Sequence, residues 1–257
     1  RPSRCALYQA GLYYLQEPSA MTPASRIPVE PGEYVLDMCA APGGKATAVG
    51  SALKGEGLLV ANDISTTRAR ALLRNLELFG IPNLFVSNEK PEKMVNNFPE
   101  FFHKILLDAP CSGEGMFRKE EALAKDWTPE KSEELSRIQK QLCLNAADML
   151  QPGGQMLYST CTFAKEENED VINEFISEYE NAKLIEMQRI WPHKVSGEGH
   201  FVAKIQKLEN EDCNVKYIKI KNNDKEVKDY REFEKKFLNI SVESRFDIRG
   251  ENLYLLP

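Results

Sequence analysis

Across 257 residues there are only three histidines, and no two of the six cysteines stand at Cys-x-x-Cys spacing. Scattered thiols with so few imidazoles make no metal-ligand pattern, so no metal is expected. Cys5, Cys39, Cys111, Cys143, Cys161 and Cys213 read as free thiols in a reducing, cytoplasmic setting. No apolar stretch approaches the roughly 18 residues of a membrane span, so no membrane partner is expected. A basic-then-apolar leader is missing, so secretion is not expected, and the arginine at position 1 points to a start further upstream. Positive charge is in deficit: the formal balance is −6. That weighs only mildly against a nucleic-acid partner, because a basic face can coexist with an acidic total.

What is present is an ordinary globular composition, in a chain long enough for one large domain or one and a fraction. Its organising stretch is Asp37-Met38-Cys39-Ala40-Ala41-Pro42-Gly43-Gly44-Lys45. A short apolar approach at 34–36 precedes it, and a run able to continue as a helix follows. Strand, tight small-residue turn, helix is the pattern of a nucleotide or cofactor loop, with glycines that let the backbone approach a ligand. A phosphate-binding Walker loop fails here, since Cys39 stands where its first glycine belongs and Ala46 follows the lysine. The dinucleotide fingerprint Gly-x-Gly-x-x-Gly is absent. The first loop of an S-adenosyl-L-methionine (AdoMet) methyltransferase remains, against a glycine-rich turn that binds nothing.

Further strands are expected at 58–63, 84–88, 105–108 and 155–158, separated by helical patterns, which predicts an α/β sheet of Rossmann-like type. Asp63, at the end of the second strand, lies where such a unit places the acid for ribose hydroxyls; capping the next helix is the alternative. That helix begins with Ser65 as cap and carries Ala69, Leu72, Leu73, Leu76 and Phe79 at helical spacing, with Arg68, Arg70 and Arg74 as a solvated face. Asn88 closes the third strand, on the side where adenine sits in this class of fold. A helix starting at Thr128-Pro129-Glu130 has Leu135, Ile138, Leu142, Ala146 and Leu150 as its apolar stripe. Upstream, residues 8–15 are expected to form a short helix, with Pro23, Pro28 and Pro31 keeping the next stretch extended. From Lys207 the texture changes: a linker at 209–212, strands at 215–220, 241–248 and 253–256, and one helix face from Val227, Tyr230, Phe233 and Phe237. The expected organisation is a catalytic domain over 1–206, including a leader at 1–31, and the start of a smaller α+β module over 207–257.

Cys111 and Cys161 each follow an apolar strand by a few residues, so the strand pattern brings both to the sheet edge that carries the cofactor loop. Two buried structural cysteines are the plain alternative. Methylation of cytosine at carbon 5 wants such a pair: a thiolate adding at carbon 6 makes carbon 5 nucleophilic, and the thiol must later leave. Asp108 stands ready to hydrogen-bond the N3 and amino edge of a base flipped from its stack.

The loop at 37–45, Asp108-Ala109-Pro110-Cys111-Ser112-Gly113 and Ser159-Thr160-Cys161-Thr162-Phe163, in this order, resemble the Nop/Sun family of RNA cytosine-5 methyltransferases over about residues 7–206. With Tyr13-Tyr14, Gln16 to Met21 and the Trp191-Pro192-His193 region, the chain looks most like the bacterial RsmF-type 16S ribosomal RNA enzymes. That resemblance implies AdoMet held by Cys39, Ala40, Ala41, Pro42, Gly43, Gly44, Lys45 and Asp63, with Asn88 and Asp108 completing its site. It implies Cys161 as nucleophile, Cys111 as the group that assists product release, and Lys45 turned to the catalytic side. It also implies a PUA-like RNA-binding module in the tail, ribosomal RNA in the small subunit as partner, and a monomer. One departure stands out: the third strand often ends in aspartate in this family, and here it ends in Asn88. DNA cytosine-5 enzymes attack from a Pro-Cys motif, which by analogy would favour Cys111. A ribosome-assembly factor without turnover and a small-molecule methyltransferase are the competing functions.

Overall fold

The computed structural model describes residues 2–209, 227–242 and 245–256. The expected strand at 215–220, most of the 209–212 linker and Cys213 lie outside the described residues. The chain divides into two compact units, Arg1–Val215 and Lys216–Pro257.

In the first unit β1 (Tyr34–Asp37), β2 (Leu58–Asn62), β3 (Leu84–Ser87), β4 (Phe102–Asp108) and β5 (Leu150–Thr160) pair in parallel, and β6 (Ala182–Ile190) and β7 (His200–Lys207) complete a seven-stranded sheet in the order β3-β2-β1-β4-β5-β7-β6. β7 runs antiparallel between β5 and β6. Alternation along the strands feeds two cores. Leu36, Val60, Ile105, Leu107, Met156 and Tyr158 face one side; Val35, Leu59, Ala61, Leu106 and Leu157 face the other. Against the second side pack α3 (Gly44–Ala52) and α4 (Thr66–Leu78), after α1 (Ala6–Gln9) and α2 (Thr22–Arg26) in the leader. Against the first pack α5 (Pro91–Asn97), α7 (Pro129–Met149) and α8 (Glu169–Glu178), with the short α6 (Glu121–Lys125) before α7. This is a Rossmann-like sheet, and its strand order reverses between β1 and β4, where open α/β sheets bind ligands.

Several sequence expectations needed correction. The leader helix is one turn long, because Gly11 takes a φ of +72° beside the Leu78 carbonyl, leaving no room for a Cβ. Pro23 lies inside a helix, in the first turn of α2, where a missing N–H costs nothing. β5 begins at Leu150 rather than at the expected 155 and takes in Pro152-Gly153-Gly154 as an irregularity, with Phe102 facing Leu150 and Lys104 facing Gln155. β6 is not an expected strand because its letters do not follow its faces: exposure alternates along 182–187, but Ile185 and Met187 stand on the exposed side and Glu186 on the covered one. Leu73 and Ile138 are also exposed, at 40% and 44%.

The second unit's described part is α9 (Lys228–Phe237) followed by the antiparallel hairpin of β8 (Arg245–Arg249) and β9 (Asn252–Leu256). Tyr230 of α9 packs on Phe246, with ring centres 4.9 Å apart.

Candidate active site

The loop after β1 turns through Gly43, whose φ of +116° only glycine takes freely, and enters α3. A side chain at Gly44 would meet the Gln16 amide and the Tyr14 ring at 2.8–2.9 Å, so the leader lies directly on the loop. The Ala40 amide donates to the Asn62 carbonyl at 2.8 Å, and Asn75 Nδ2 and Arg68 Nη2 from α4 donate to the Pro42 and Ala41 carbonyls at 2.7 and 2.8 Å. Arg68, 57% exposed along its side chain, also reaches Asp63 Oδ2 at 3.3 Å, so it is solvated and paired at once.

A cleft of about 370 Å³ opens at this edge. Its walls include Asp37, Cys39 to Pro42, Gly44, Lys45, Asp108, Cys111 and Cys161 together. Asp63 and Asn88 are not in that lining. Asp63 Oδ1 accepts the Ser65 amide at 2.9 Å, and Asn88 donates Nδ2 to the Asp63 carbonyl at 2.6 Å and accepts from Thr66 Oγ1 at 2.8 Å.

Lys45 Nζ donates to Asp108 Oδ2 at 2.6 Å, and Ser159 Oγ donates to Oδ1 at 2.6 Å. Burial opposes the charge on Asp108, but Lys45, helped by the His200 ring, holds its carboxyl well below the usual carboxylate range. Burial likewise opposes the charge on Lys45, and Asp108 outweighs it, so Lys45 stays a cation. Asp37 has no such partner. It is fully buried, neither carboxyl oxygen has a hydrogen bond, and burial, then the charge of Asp108, push it up to about 8. Burial raises the Cys39 thiol as well.

The two sulfur atoms, fifty positions apart in sequence, are 3.4 Å apart in space. A hydrogen bond from Cys111, with Lys45 adding to it, lowers Cys161 against burial and the charge of Asp108. Cys111, as the donor, is raised. Their loops are cross-braced. Ser112 Oγ and Thr162 Oγ1 share a hydrogen bond at 2.7 Å, the Gly115 amide donates to the Cys161 carbonyl at 2.7 Å, and Glu114 accepts from Thr162 Oγ1 and the Phe163 amide.

Sequence reasoning missed what holds both loops from behind. Glu167, fully buried, accepts from the Ser112 amide at 2.9 Å and from Ser132 Oγ and Gln139 Nε2 at 2.8 Å. Next to it Asn168 accepts from Thr160 Oγ1 at 2.6 Å and donates to the Thr162 carbonyl at 3.0 Å. One residue braces the Cys111 loop and its neighbour the Cys161 loop. Ser132 and Gln139 turn α7 so that they face the site, which is why Ile138 points outward. The leader was missed too. Glu17 accepts from the amides of Ala20 and Glu198 at 2.9 Å, and Ser19 Oγ accepts from the Gly199 amide at 3.1 Å. Those contacts roof the cleft, whose lining includes Gln16, Glu17 and Ala20.

The family described as 16S rRNA methyltransferase RsmB/F matches residues 26–206. Ribosomal RNA small subunit methyltransferase F of Vibrio vulnificus is 33% identical over 279 residues, covering 98% of this chain and 59% of its own. The protein of that name from Vibrio campbellii is 40% identical over 222 residues, covering 79% of this chain and 46% of its own. Among solved structures, NSun6 from Pyrococcus horikoshii, determined with SFG, superposes with a TM-score of 0.73 at 31% identity over 81% of this chain and 56% of that one. The chain thus spans 46–59% of the length of these two curated relatives.

Proposed function

Because the chain belongs to the RsmB/F family of 16S rRNA methyltransferases, we propose that it transfers a methyl group from AdoMet to carbon 5 of a cytosine in small-subunit ribosomal RNA, through a covalent bond from Cys161. The observation that carries this reading is the thiol pair, 3.4 Å apart, beside an ionised Lys45–Asp108 pair at the edge of the cleft.

The residues present fit AdoMet. Asp37 offers a buried, unpartnered carboxylate suited to an ammonium group, the loop at 39–45 brings backbone close to the cleft, and Asp63 remains the proposed ribose acid, with Asn88 toward adenine. A structural relative was determined with SFG, an AdoMet analogue, which supports the choice of cofactor. When bound, AdoMet supplies an electrophilic methyl group on a sulfonium.

The chain's own residues supply the rest. The Cys161 thiolate, stabilised by the Cys111 hydrogen bond and by Lys45, adds to carbon 6 and forms a sulfur–carbon bond, which passes the ring's electron pair toward carbon 5. Asp108 is held ionised, so it accepts from the base's amino edge, and Lys45 is the donor beside it. After carbon 5 has taken the methyl group, its proton leaves to a base. The freed electron pair restores the ring double bond as the sulfur–carbon bond breaks. Cys111, still protonated, donates to the departing Cys161 sulfur and so assists release. The tail beyond the catalytic unit is read as part of an RNA-binding, PUA-like module, and the setting as the bacterial cytoplasm where ribosomes are made.

The test is transfer of tritium from labelled AdoMet to deproteinised 16S rRNA and, separately, to assembled small subunits, followed by nucleoside analysis. Label in 5-methylcytidine is expected from one of the two substrates. Label in another nucleoside, or AdoMet binding without transfer to either, overturns the reading; the second outcome would fit an assembly factor.

A further inference from the structure

Shortly after Cys111 the chain presents two cations at the mouth of the cleft. Arg118 is 70% and Lys119 44% exposed along their side chains, and Lys119 lines the cleft together with Met116 and Glu198. Both cations answer to one carboxylate. Arg118 turns Nε and Nη2 to the same oxygen, Glu198 Oε2, each at 2.8 Å, and Lys119 Nζ lies 3.9 Å from Oε1. Nothing in the mechanism above uses any of the three. Their position relative to the sulfurs is nevertheless fixed. Glu114 turns inward to Thr162 and Phe163, and a Cβ on Gly115 would stand 2.7 Å from the Cys161 carbonyl oxygen and 3.0 Å from that of Glu198. A glycine there lets the turn that carries the cations lie against both the Cys161 loop and the loop that leads into β7.

The chain has 39 acidic residues against 33 basic ones, so its net charge does not draw a polyanion to it. Attraction must be local. Lys45 and Arg68, the other cations of the site, have one acid each, Asp108 and Asp63. At the lip two cations share one carboxylate, so a further anion is favoured there. A guanidinium edge that grips a carboxylate oxygen with two N–H groups grips a phosphate oxygen in the same way. An exposed ion pair adds little to stability, so the carboxylate is easily displaced. A nucleotide that enters the cleft must leave its stack by turning about its backbone. Phosphate contacts at the rim hold the strand in register while that happens, and they carry no sequence information.

We propose that Arg118 and Lys119 form a phosphate-binding lip: they receive an RNA backbone phosphate beside the nucleotide that enters the cleft, and Glu198 holds both cations in place until that phosphate displaces it. This rests on the reading of RNA as the substrate. It adds to that reading the residues that grip the strand, and it explains why two exposed cations are tied to a carboxylate in the cleft wall.

The experiment breaks the same bridge from its two sides. The 257-residue chain and its Arg118→Ala, Lys119→Ala and Glu198→Gln variants are titrated with a 16S rRNA transcript at several potassium chloride concentrations. Lys183→Ala serves as a control, since Lys183 is exposed near the end of β6 remote from the cleft. AdoMet titration and thermal melting report on folding. Arg118→Ala and Lys119→Ala should each weaken RNA binding by about 3- to 10-fold at low salt. Each should also flatten the plot of log affinity against log salt by about 0.7, the slope of one lost phosphate contact on a single strand. Glu198→Gln removes the competing anion, so it should tighten binding by about threefold. Lys183→Ala should stay within about twofold of the unsubstituted chain. A weakening by Glu198→Gln that matches Arg118→Ala, with the salt slope unchanged in both, would make the bridge a structural brace and overturn the proposal. An equal loss from Lys183→Ala would make the effect one of total charge and overturn it too. If the unsubstituted chain neither binds nor methylates the transcript, the underlying reading falls and this assignment falls with it. Failure of the variants alone leaves that reading standing, so the two failures are distinct.

Discussion

The loop after β1 and the two cysteine loops after β4 and β5 share one edge of one sheet, yet they are held in opposite ways. The first is held mainly through its own backbone: carbonyls of Ala41 and Pro42 accept from α4, and the Ala40 amide donates to β2. It leaves a carboxylate, Asp37, with no partner at all. The cysteine loops are held by buried side chains: Glu167 takes the Ser112 amide beside Cys111 together with Ser132 and Gln139 of α7, and Asn168 bonds to Thr160 and Thr162 on either side of Cys161. A region that must receive a ligand leaves polar groups unsatisfied until the ligand arrives. A region that must hold two reacting atoms at a fixed distance satisfies its polar groups internally.

The largest expected effect falls on the cysteine side. Cys161→Ala should reduce methyl transfer to background and give no covalent protein–RNA complex, because the attacking sulfur is gone. Cys111→Ala should still attack and transfer, but release poorly, and should accumulate a complex that survives a denaturing gel. The double variant should behave as Cys161→Ala does, since attack comes first. The asymmetry between the two thiols supports this order: the contact with Cys111 and then Lys45 lower Cys161, while the contact with Cys161 and burial raise Cys111. A gel-stable complex from Cys161→Ala but not from Cys111→Ala would exchange the roles and leave the reaction class standing.

The same contrast explains what could be read without coordinates. The β1 loop is a local device of glycines, small residues and a proline in one run, so its outline is visible in nine consecutive letters. The strands that position it are apolar runs, and they too are visible. The brace behind the cysteines is made of Ser112, Ser132, Gln139, Glu167 and Asn168, residue types that ordinarily face water. Their spacing spans three elements and repeats at no helical or strand period. Nothing local distinguishes the buried Glu167 from the half-exposed Glu169 two residues on. His200 was passed over for a similar reason: it opens β7, a strand that pairs with β5 only after the chain has gone out through β6 and back. Its scarcity as one of three histidines was the one available signal.

A smaller effect tests the brace. Glu167→Gln keeps the shape of the side chain but replaces one acceptor oxygen by a donor among three groups that all donate. The expected loss of stability is about 3 kcal/mol, from hydrogen bonds to a charged group, read as a lowered midpoint in urea with an unchanged slope. AdoMet affinity should survive at temperatures where the variant is folded, while formation of the covalent complex slows. Loss of AdoMet binding in step with complex formation would show that the two regions are not independent.

A still smaller effect tests the unsatisfied side. Asp37 stands at about 8 in the free chain, pushed there by burial and then by Asp108, against an unfolded value near 4. Between those values the folded chain keeps a proton that the unfolded chain has released. Its contribution to stability is therefore full below about pH 4 and lost as pH rises through about 8. An ammonium beside Asp37 favours the ionised form, so binding AdoMet must expel that proton. Affinity should rise about tenfold between pH 6 and pH 7, and calorimetry in buffers of different ionisation enthalpy should detect the released proton. Asp37→Asn should flatten the profile. A flat profile in the unsubstituted chain would remove Asp37 from the ammonium's site.

The smallest effect is expected where the catalytic unit ends. The change of texture at Lys207 suggested a boundary after residue 206, but Lys207 is 4% exposed. Its Nζ donates to the carbonyls of Ala147 and Leu150 at 3.0 and 2.9 Å and meets Glu100 at 3.1 Å. The Leu208 amide still donates to the Asn181 carbonyl at 2.9 Å. A chain cut after 206 therefore leaves the carbonyls at the end of α7 without their cation. It should lose about 3 kcal/mol of stability, with the site damaged only indirectly. A chain cut after 209 keeps every one of those bonds. Its AdoMet affinity should lie within about twofold of the full chain, because the cleft residues named above all precede residue 201. Its RNA affinity should fall, if the tail is the start of an RNA-binding module. Calorimetric titration of the two truncated chains, side by side, separates the effects. A matching loss of AdoMet affinity in the folded 1–209 chain would make the tail part of the cofactor site and overturn the proposed division between a catalytic unit and an RNA-binding one.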